Sequence, residues 1–135
     1  MLSVVFGAVD RRAAGRYFRP MSELSEKSCV PCRGTEPRLT AEQIDTYLKD
    51  VEHWEHVEVN GVQRIRRRFR FPDFASALAF TREVGRIAEE QDHHPRIVTQ
   101  WGSVTVDWWT HAIGGLHDND FVMAAKTDRV EAQRT

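Results

Sequence analysis

The pair Asn60-Gly61 constrains the fold of this chain more than any other short stretch. Asn-Gly favours a type I′ turn, the two-residue loop that joins adjacent antiparallel strands. With these two residues as the loop, Val59 faces Val62, and the register of both strands follows. One face of the predicted hairpin then carries Trp54, His56, Ile65, Arg67, Phe69 and Phe71, and the other carries Arg64, Arg66, Arg68 and Arg70.

Helical periodicity predicts a helix on each side of this hairpin. The first begins at a capping box formed by Thr40 and Gln43 and ends near Asp50. The second follows its N-cap, Asp73, and ends before Pro95. Its predicted buried stripe consists of Phe74, Ala77, Leu78, Thr81, Val84, Ile87, Ala88 and Gln91.

A second hairpin and a third helix complete the predicted order. The strands are Ile97–Trp101 and Val104–Trp109 around Gly102-Ser103, and the helix runs from about residue 118 to residue 131 with Asp118 as a candidate cap. The order α-β-β-α-β-β-α predicts an α+β fold, a four-stranded antiparallel sheet with three helices on one face. We expect a flexible N-terminal extension over residues 1–36 and one domain over residues 37–135.

Composition narrows the classes of function. A net charge of -1 over 135 residues gives no general reason to expect a nucleic acid or an anionic membrane as partner. The four alternating arginines are interpreted as a solvated sheet face, partly balanced by Glu55 and Glu58, in preference to a nucleic-acid stripe. No apolar run approaches the roughly 20 residues of a membrane span. With two cysteines and no disulfide framework, a reducing compartment, the cytoplasm, is expected.

The first 20 residues admit two interpretations. They contain Arg11, Arg12, Arg16 and Arg19 against the single acid Asp10, a composition found in organelle transit peptides. The favoured interpretation is a disordered extension upstream of a second possible start at Met21.

Cys29-Val30-Pro31-Cys32 has the spacing of half a zinc site or of a redox pair. A structural zinc ion needs four ligands, and His53 and His56, which could complete the set, fall on a predicted strand. We therefore expect no metal here, and the role of the two cysteines stays open.

Three of the six histidines lie at the two ends of one stretch. His93 and His94 end the second helix, and His111 ends the last strand; if the intervening strands form a hairpin, its far ends bring the three together. Imidazoles suit proton transfer near neutral pH. Glu89, one turn earlier, could orient His93, and Asp120, in the first turn of the third helix, could orient His111.

Two other interpretations compete with proton transfer. Each histidine alone is better explained as an ordinary polar residue at the end of an element, but three histidines and two acids that converge favour a site. A zinc site of His93, His94 and His111 is disfavoured, because adjacent histidines rarely chelate one ion and the usual i, i+4 spacing is missing.

At these residues the sequence resembles the pterin-4a-carbinolamine dehydratase family. The resemblance is carried by Glu89, Asp92-His93-His94-Pro95, Thr110-His111, Gly115-Leu116 and Asp120, and upstream by Leu39-Thr40, Trp54, Phe69, Phe71 and Asp73-Phe74. It covers roughly residues 29–131, and the Cys29–Cys32 segment is similar to that of many bacterial-type members.

The resemblance implies a hydro-lyase that converts 4a-hydroxytetrahydropterin to quinonoid dihydropterin and recycles the cofactor of aromatic amino acid hydroxylases. It implies no metal or organic cofactor, and a homodimer or homotetramer. It places the catalytic histidines at His93, His94 and His111, the supporting acids at Glu89 and Asp120, and substrate contacts at Asp92, His93, His94, Trp109, Thr110, His111 and Ala112. The competing hypothesis is a regulatory protein that partners a transcription factor or a hydroxylase.

Overall fold

The computed structural model describes residues 21–134, and the expectations for residues 1–20 lie outside that range. The elements follow the predicted order with one short helix added in front. They are α1 (Met21–Ser25), α2 (Ala41–Leu48), β1 (Glu55–Val59), β2 (Val62–Arg70), α3 (Phe74–Gln91), β3 (Arg96–Gln100), β4 (Ser103–Trp108), a 3₁₀ turn (His111–Ile113) and α4 (Asp118–Ala132).

The four strands form one antiparallel sheet in the order β1-β2-β4-β3. Val59 pairs with Val62, and Asn60 and Gly61 have φ values of 51° and 80°, as a type I′ turn requires. The predicted α+β fold and the register of its first hairpin are therefore confirmed.

The core lies between the sheet and the helices. On β4, Val104, Val106 and Trp108 alternate toward the helices and are completely buried. Helices α3 and α4 both contact β4 and each other, and Phe121 of α4 is fully buried and stacks on Tyr47 of α2. Apolar residues at alternate positions of the sheet thus meet the apolar stripes of the helices.

The predicted stripe of α3 is wrong at two positions. Phe74 and Leu78 are 46% and 45% exposed, whereas Phe80, absent from the prediction, is buried. Phe80 packs against Phe69 and Phe71 with ring centroids 4.7 and 5.2 Å away. The helix carries apolar residues on more than one face, and the aromatic end of β2 selects the face with Phe80.

The turn of the second hairpin lies one residue earlier than predicted. Gln100 pairs with Ser103, so the loop is Trp101-Gly102, and Gly102 has a φ of 82°. Trp101 lies in the loop and not in the strand predicted for it, and it is 74% exposed.

Asp107 makes the main contacts with the arginine face of the sheet, while Glu55 lies opposite Arg66 in the register and Glu58 accepts a hydrogen bond from Gln63. Asp107 is fully buried and accepts two hydrogen bonds from Arg66, at 2.7 and 2.8 Å, and one from Arg64 at 3.0 Å. Burial alone would raise the pKa of Asp107, but hydrogen bonds and charges from Arg66 and Arg64 outweigh it and hold the pKa below its usual value.

The segment before α2, for which the sequence suggested flexibility, has defined contacts with the domain from Leu24 onward. Leu24 and Ser25 are buried, α1 packs against α4, and Lys126 Nζ donates to the Ser25 carbonyl at 2.8 Å. Across residues 21–134, every helix is too short or too polar to cross a membrane.

Candidate active site

The hairpin β3–β4 brings the end of α3 next to the residues that follow β4. Thr110 pairs with Gly115 in an isolated bridge that closes the 3₁₀ turn, and His111 Nε2 lies 3.2 Å from the backbone oxygen of His94. The two ends of the histidine-bearing stretch therefore meet, as the predicted hairpin required.

His93 is the most enclosed of the three histidines. Its exposure is 9%, its ring stacks on Trp108 at a centroid distance of 5.7 Å, and Asp92 ends α3 in the left-handed conformation at φ 52°. This reversal of the backbone directs His93 away from the helix axis and toward the first turn of α4.

Asp120 is the partner of His93. His93 Nε2 lies 2.7 Å from Asp120 Oδ1, while Thr110 Oγ1 and the backbone N–H of His117 donate to Asp120 Oδ2 at 2.8 and 2.9 Å. Asp120 is fully buried, and an ionised carboxylate only accepts hydrogen bonds. With Asp120 ionised, Nε2 of His93 carries the hydrogen, so a neutral His93 keeps Nδ1 free to accept a proton.

The local sequence around the start of α4 fixes Asp120 in place. His117 is the N-cap: its Nδ1 accepts from the N–H of Asn119, and the N–H of His117 donates to the carboxylate of Asp120. The expectation that Asp118 caps this helix is wrong. An acid at the third position of the helix is also favoured by the helix dipole.

The expected pairing of acids with histidines is wrong in both cases. Glu89 pairs with His94, with Oε2 2.5 Å from Nε2, and both side chains are largely exposed. Asp120 pairs with His93 and not with His111. Asp92 in the left-handed conformation rotates both histidines out of the helical positions that the spacing argument assumed.

His111 opens the 3₁₀ turn and does not end a strand, because β4 stops at Trp108. The centroid of its ring lies 4.5 Å from that of Trp109, and the guanidinium carbon of Arg64 lies 3.9 Å from the centroid of the Trp109 ring. Trp109 thus contacts both Arg64 and His111, and its ring packs against the histidine.

The three histidines line a cleft of about 520 Å³. Six of the seven predicted substrate-contacting residues line it; Trp109 does not, and Glu89 and Asp120 lie outside the lining. The lining residues are Cys29, Val30, Pro31, Cys32, Gln91, Asp92, His93, His94, Thr110, His111, Ala112 and Asn119.

The sequence did not indicate that Cys29–Cys32 forms one side of this cleft. Its Cys-x-x-Cys spacing is typical of half a zinc site or of a redox pair, whereas the structure shows two free thiols. Burial, with the charge of Asp120 next, raises the pKa of Cys29 to about 11, and burial also raises the pKa of Cys32. Among residues 21–134, no three His, Cys, Asp or Glu side chains are grouped so that they could hold a metal ion.

Known proteins are similar in sequence to this chain over most of its length. The family model of "Pterin 4 alpha carbinolamine dehydratase" matches residues 37–130. The relative named "Putative pterin-4-alpha-carbinolamine dehydratase" from Chlorobium limicola is 54% identical over 79% of this chain and 95% of its own length. A relative of the same name from Syntrophotalea carbinolica is 53% identical, over 80% of this chain and 96% of its own.

A solved structure agrees with these relatives. The crystal structure of a "transcriptional coactivator/pterin dehydratase" from Brucella melitensis is 32% identical, with a TM-score of 0.63 over 70% of this chain and 98% of that one. From the matched residues, the shared identity and the common fold, this chain belongs to the pterin 4 alpha carbinolamine dehydratase family, a family of hydro-lyases.

Proposed function

We propose that this protein dehydrates 4a-hydroxytetrahydropterin to quinonoid dihydropterin and water by histidine acid–base catalysis. The observation that carries the proposal is the buried Asp120–His93 pair, which borders a cleft that His94 and His111 also line. A cleft of about 520 Å³ is large enough for a bicyclic heterocycle, since ligand pockets typically measure about 300–1,000 Å³.

The reaction needs two proton transfers. The C4a–O bond breaks as the departing hydroxyl gains a proton, and the adjacent ring nitrogen loses a proton as its electron pair forms the new C=N bond. Asp120 holds the His93 ring through Nε2, so Nδ1 of His93 is the nitrogen free to accept a proton from substrate. We therefore assign His93 Nδ1 as the base at the ring nitrogen, His111 as the acid at the hydroxyl, and His94 mainly to binding.

In the proposed reaction, side chains of this protein carry out both proton transfers, and no metal or organic cofactor takes part. Positioned acid–base groups contribute about 10²–10⁴-fold each, and holding the substrate between them adds to this. Asp92, Thr110 and Ala112, which also line the cleft, are the remaining candidate contacts for the pterin.

The proposed setting is the recycling of the tetrahydropterin cofactor of aromatic amino acid hydroxylases, in the cytoplasm, by a homodimer or homotetramer. The product then requires a reductase to return to the tetrahydro form, because dehydration leaves the ring at the dihydro level.

The test is steady-state dehydration with substitutions at the two proton-transferring residues. His93→Asn and His111→Asn should each lower kcat more than they raise KM, and the double variant should approach the uncatalysed rate. His56→Asn, on β1 and outside the cleft lining, is the matched control and should behave like the wild type. Full turnover by the double variant would refute the assignment.

The second candidate function is regulation by association with another protein. Its supporting observation is the Brucella melitensis protein of the same fold, which is described as a transcriptional coactivator as well as a pterin dehydratase. A folded wild type that does not accelerate dehydration, but associates with a hydroxylase or a transcription factor, would favour this function.

A further inference from the structure

We propose that residues 29–32, here called the strap, form a fixed wall of the cleft that binds the pterin ring and sets which pterins are accepted. The inference rests on the proposed function and extends it to a segment outside the residues that the family model matches, 37–130. All four strap residues line the same cleft as His93, His94 and His111.

The first anchor of the strap is Asn119. Its Oδ1 accepts from the N–H of Val30 at 3.0 Å and its Nδ2 donates to the carbonyl of Val30 at 2.8 Å. Asn119 is 3% exposed, so both bonds lie away from bulk water, where an unmade hydrogen bond is costly. A side-chain amide that pairs with both backbone groups of one residue fixes the position and the direction of the chain there.

The segments on either side of Val30 are also held. The N–H of Cys29 donates to Gln91 Oε1 at 2.9 Å, which ties the strap to the end of α3. Downstream, the N–H groups of Arg33 and Gly34 donate to the carboxylate of Glu36 at 3.0 Å. These bonds, with the hydrogen bond from Cys32, lower the pKa of Glu36 to about 2, so the accepting carboxylate stays ionised well into the acid range.

The strap adds apolar side chains to a lining that is otherwise largely polar. Val30 is 56% exposed and Pro31 is a second apolar residue, whereas the rest of the lining includes the three imidazoles, Thr110 and Asp92. A pterin has two flat faces and a rim of polar atoms. One face can therefore pack on Val30 and Pro31 while the reacting edge meets the histidines.

The anchors explain why the strap should affect binding more than chemistry. Asn119 precedes Asp120 and Gln91 lies two residues before His93, so the strap is attached to the helix ends that carry the proton-transferring pair. The His93–Asp120 bond does not itself pass through the strap. Loosening the strap removes a wall from the substrate and leaves that pair in place.

The test uses Val30→Gly and Asn119→Ala in the full chain. Val30→Gly removes the exposed side chain and should raise KM about fivefold. Asn119→Ala removes both bonds to the strap and should raise KM about tenfold. In both variants kcat should stay within about twofold of the wild type, because the interactions lost act equally on substrate and transition state. Gln133→Ala, an amide at the other end of α4, is the matched control and should change neither constant.

A second measurement distinguishes a strap that contacts the substrate from a strap that only stabilises the fold. Val30→Gly should reduce the discrimination in kcat/KM between pterins with small and large ring substituents, and Val30→Phe should increase it. Unchanged KM and unchanged discrimination in folded variants would overturn the strap proposal, as would an equal loss of kcat and kcat/KM. If the wild type itself fails to turn over the pterin, the proposed function fails first, and the strap proposal fails with it.

Discussion

Replacement of Asp120 by Asn tests the role of the His93–Asp120 hydrogen bond in the proposed site. The change preserves shape but replaces one acceptor oxygen by a donor NH₂ group. Thr110 Oγ1 and the N–H of His117 both reach Asp120 Oδ2 as donors, so the remaining oxygen should stay on their side. The NH₂ group then faces His93 Nε2, which must accept a hydrogen bond, and the hydrogen of a neutral imidazole moves to Nδ1.

The expected magnitude follows from this change of tautomer. With Nδ1 protonated, His93 cannot accept the proton from the ring nitrogen, so the general-base contribution of about 10²–10⁴-fold is lost. This corresponds to about 2.7–5.4 kcal/mol in activation free energy at 1.36 kcal/mol per factor of ten. The free energy of unfolding should fall by about 1.5–3 kcal/mol, because a buried hydrogen bond to a charged acceptor is replaced.

The assay is steady-state dehydration beside a urea unfolding curve for each variant. Asp118→Asn is the matched control: it removes an acid from the same first turn of α4, but the side chain is exposed and does not contact His93. It should keep kcat within about twofold of the wild type. A folded Asp120→Asn protein with wild-type kcat would refute the assigned role of the His93–Asp120 pair.

Three further predictions concern single side chains. Glu89→Gln should change kcat by less than about threefold in the same assay, because its pair with His94 is exposed; a loss as large as that of Asp120→Asn would contradict this. Asp107→Asn should lower the free energy of unfolding by about 2–4 kcal/mol in urea titrations at pH 7, since it leaves the charge of Arg66 uncompensated beside a buried site. Because the folded pKa of Asp107 is depressed, this stabilisation is present above its unfolded pKa and is lost as the pH falls through the folded value, so the difference between wild type and variant should shrink in acid. Alkylation of Cys29 by iodoacetamide at pH 8, followed by mass spectrometry, should be far slower than that of a free thiol, because a pKa of about 11 leaves only about one thiolate in a thousand; rapid labelling would contradict the burial of this thiol.

Local signals in the sequence identified most of the fold. The Asn60-Gly61 turn and the capping box at Thr40 involve residues within four positions of one another, where backbone preferences decide the outcome. The sequence nevertheless assigned the last cap to Asp118, because His is an uncommon N-cap.

Features that depend on tertiary packing were not predicted from the sequence. The choice between Phe74 and Phe80 as the buried residue depends on the aromatic end of β2, which periodicity along α3 does not contain. The pairing of His93 with Asp120 depends on the left-handed conformation of Asp92, a non-glycine residue for which that conformation is uncommon.

The sequence did not predict that the strap lines the cleft, and this is the largest difference between the expected and the observed site. Its anchors, Gln91 and Asn119, lie 62 and 89 residues along the chain from the positions they bind. Nothing in the local pattern of Cys29–Cys32 indicates such contacts. Gln91 and Asn119, polar residues at the two helix ends that flank the histidines, were the signal in the sequence that could have indicated the strap. They indicate a binding position for it only once those two helix ends are known to meet.

Dehydration through His93 can be followed directly by stopped-flow decay of enzymically generated 4a-hydroxytetrahydropterin with the wild type and with His93→Ala. We expect the wild type to accelerate the decay and the substitution to remove most of the acceleration while the protein remains folded. A folded wild type that gives no acceleration, or a His93→Ala protein as fast as the wild type, would contradict histidine-catalysed dehydration by this protein.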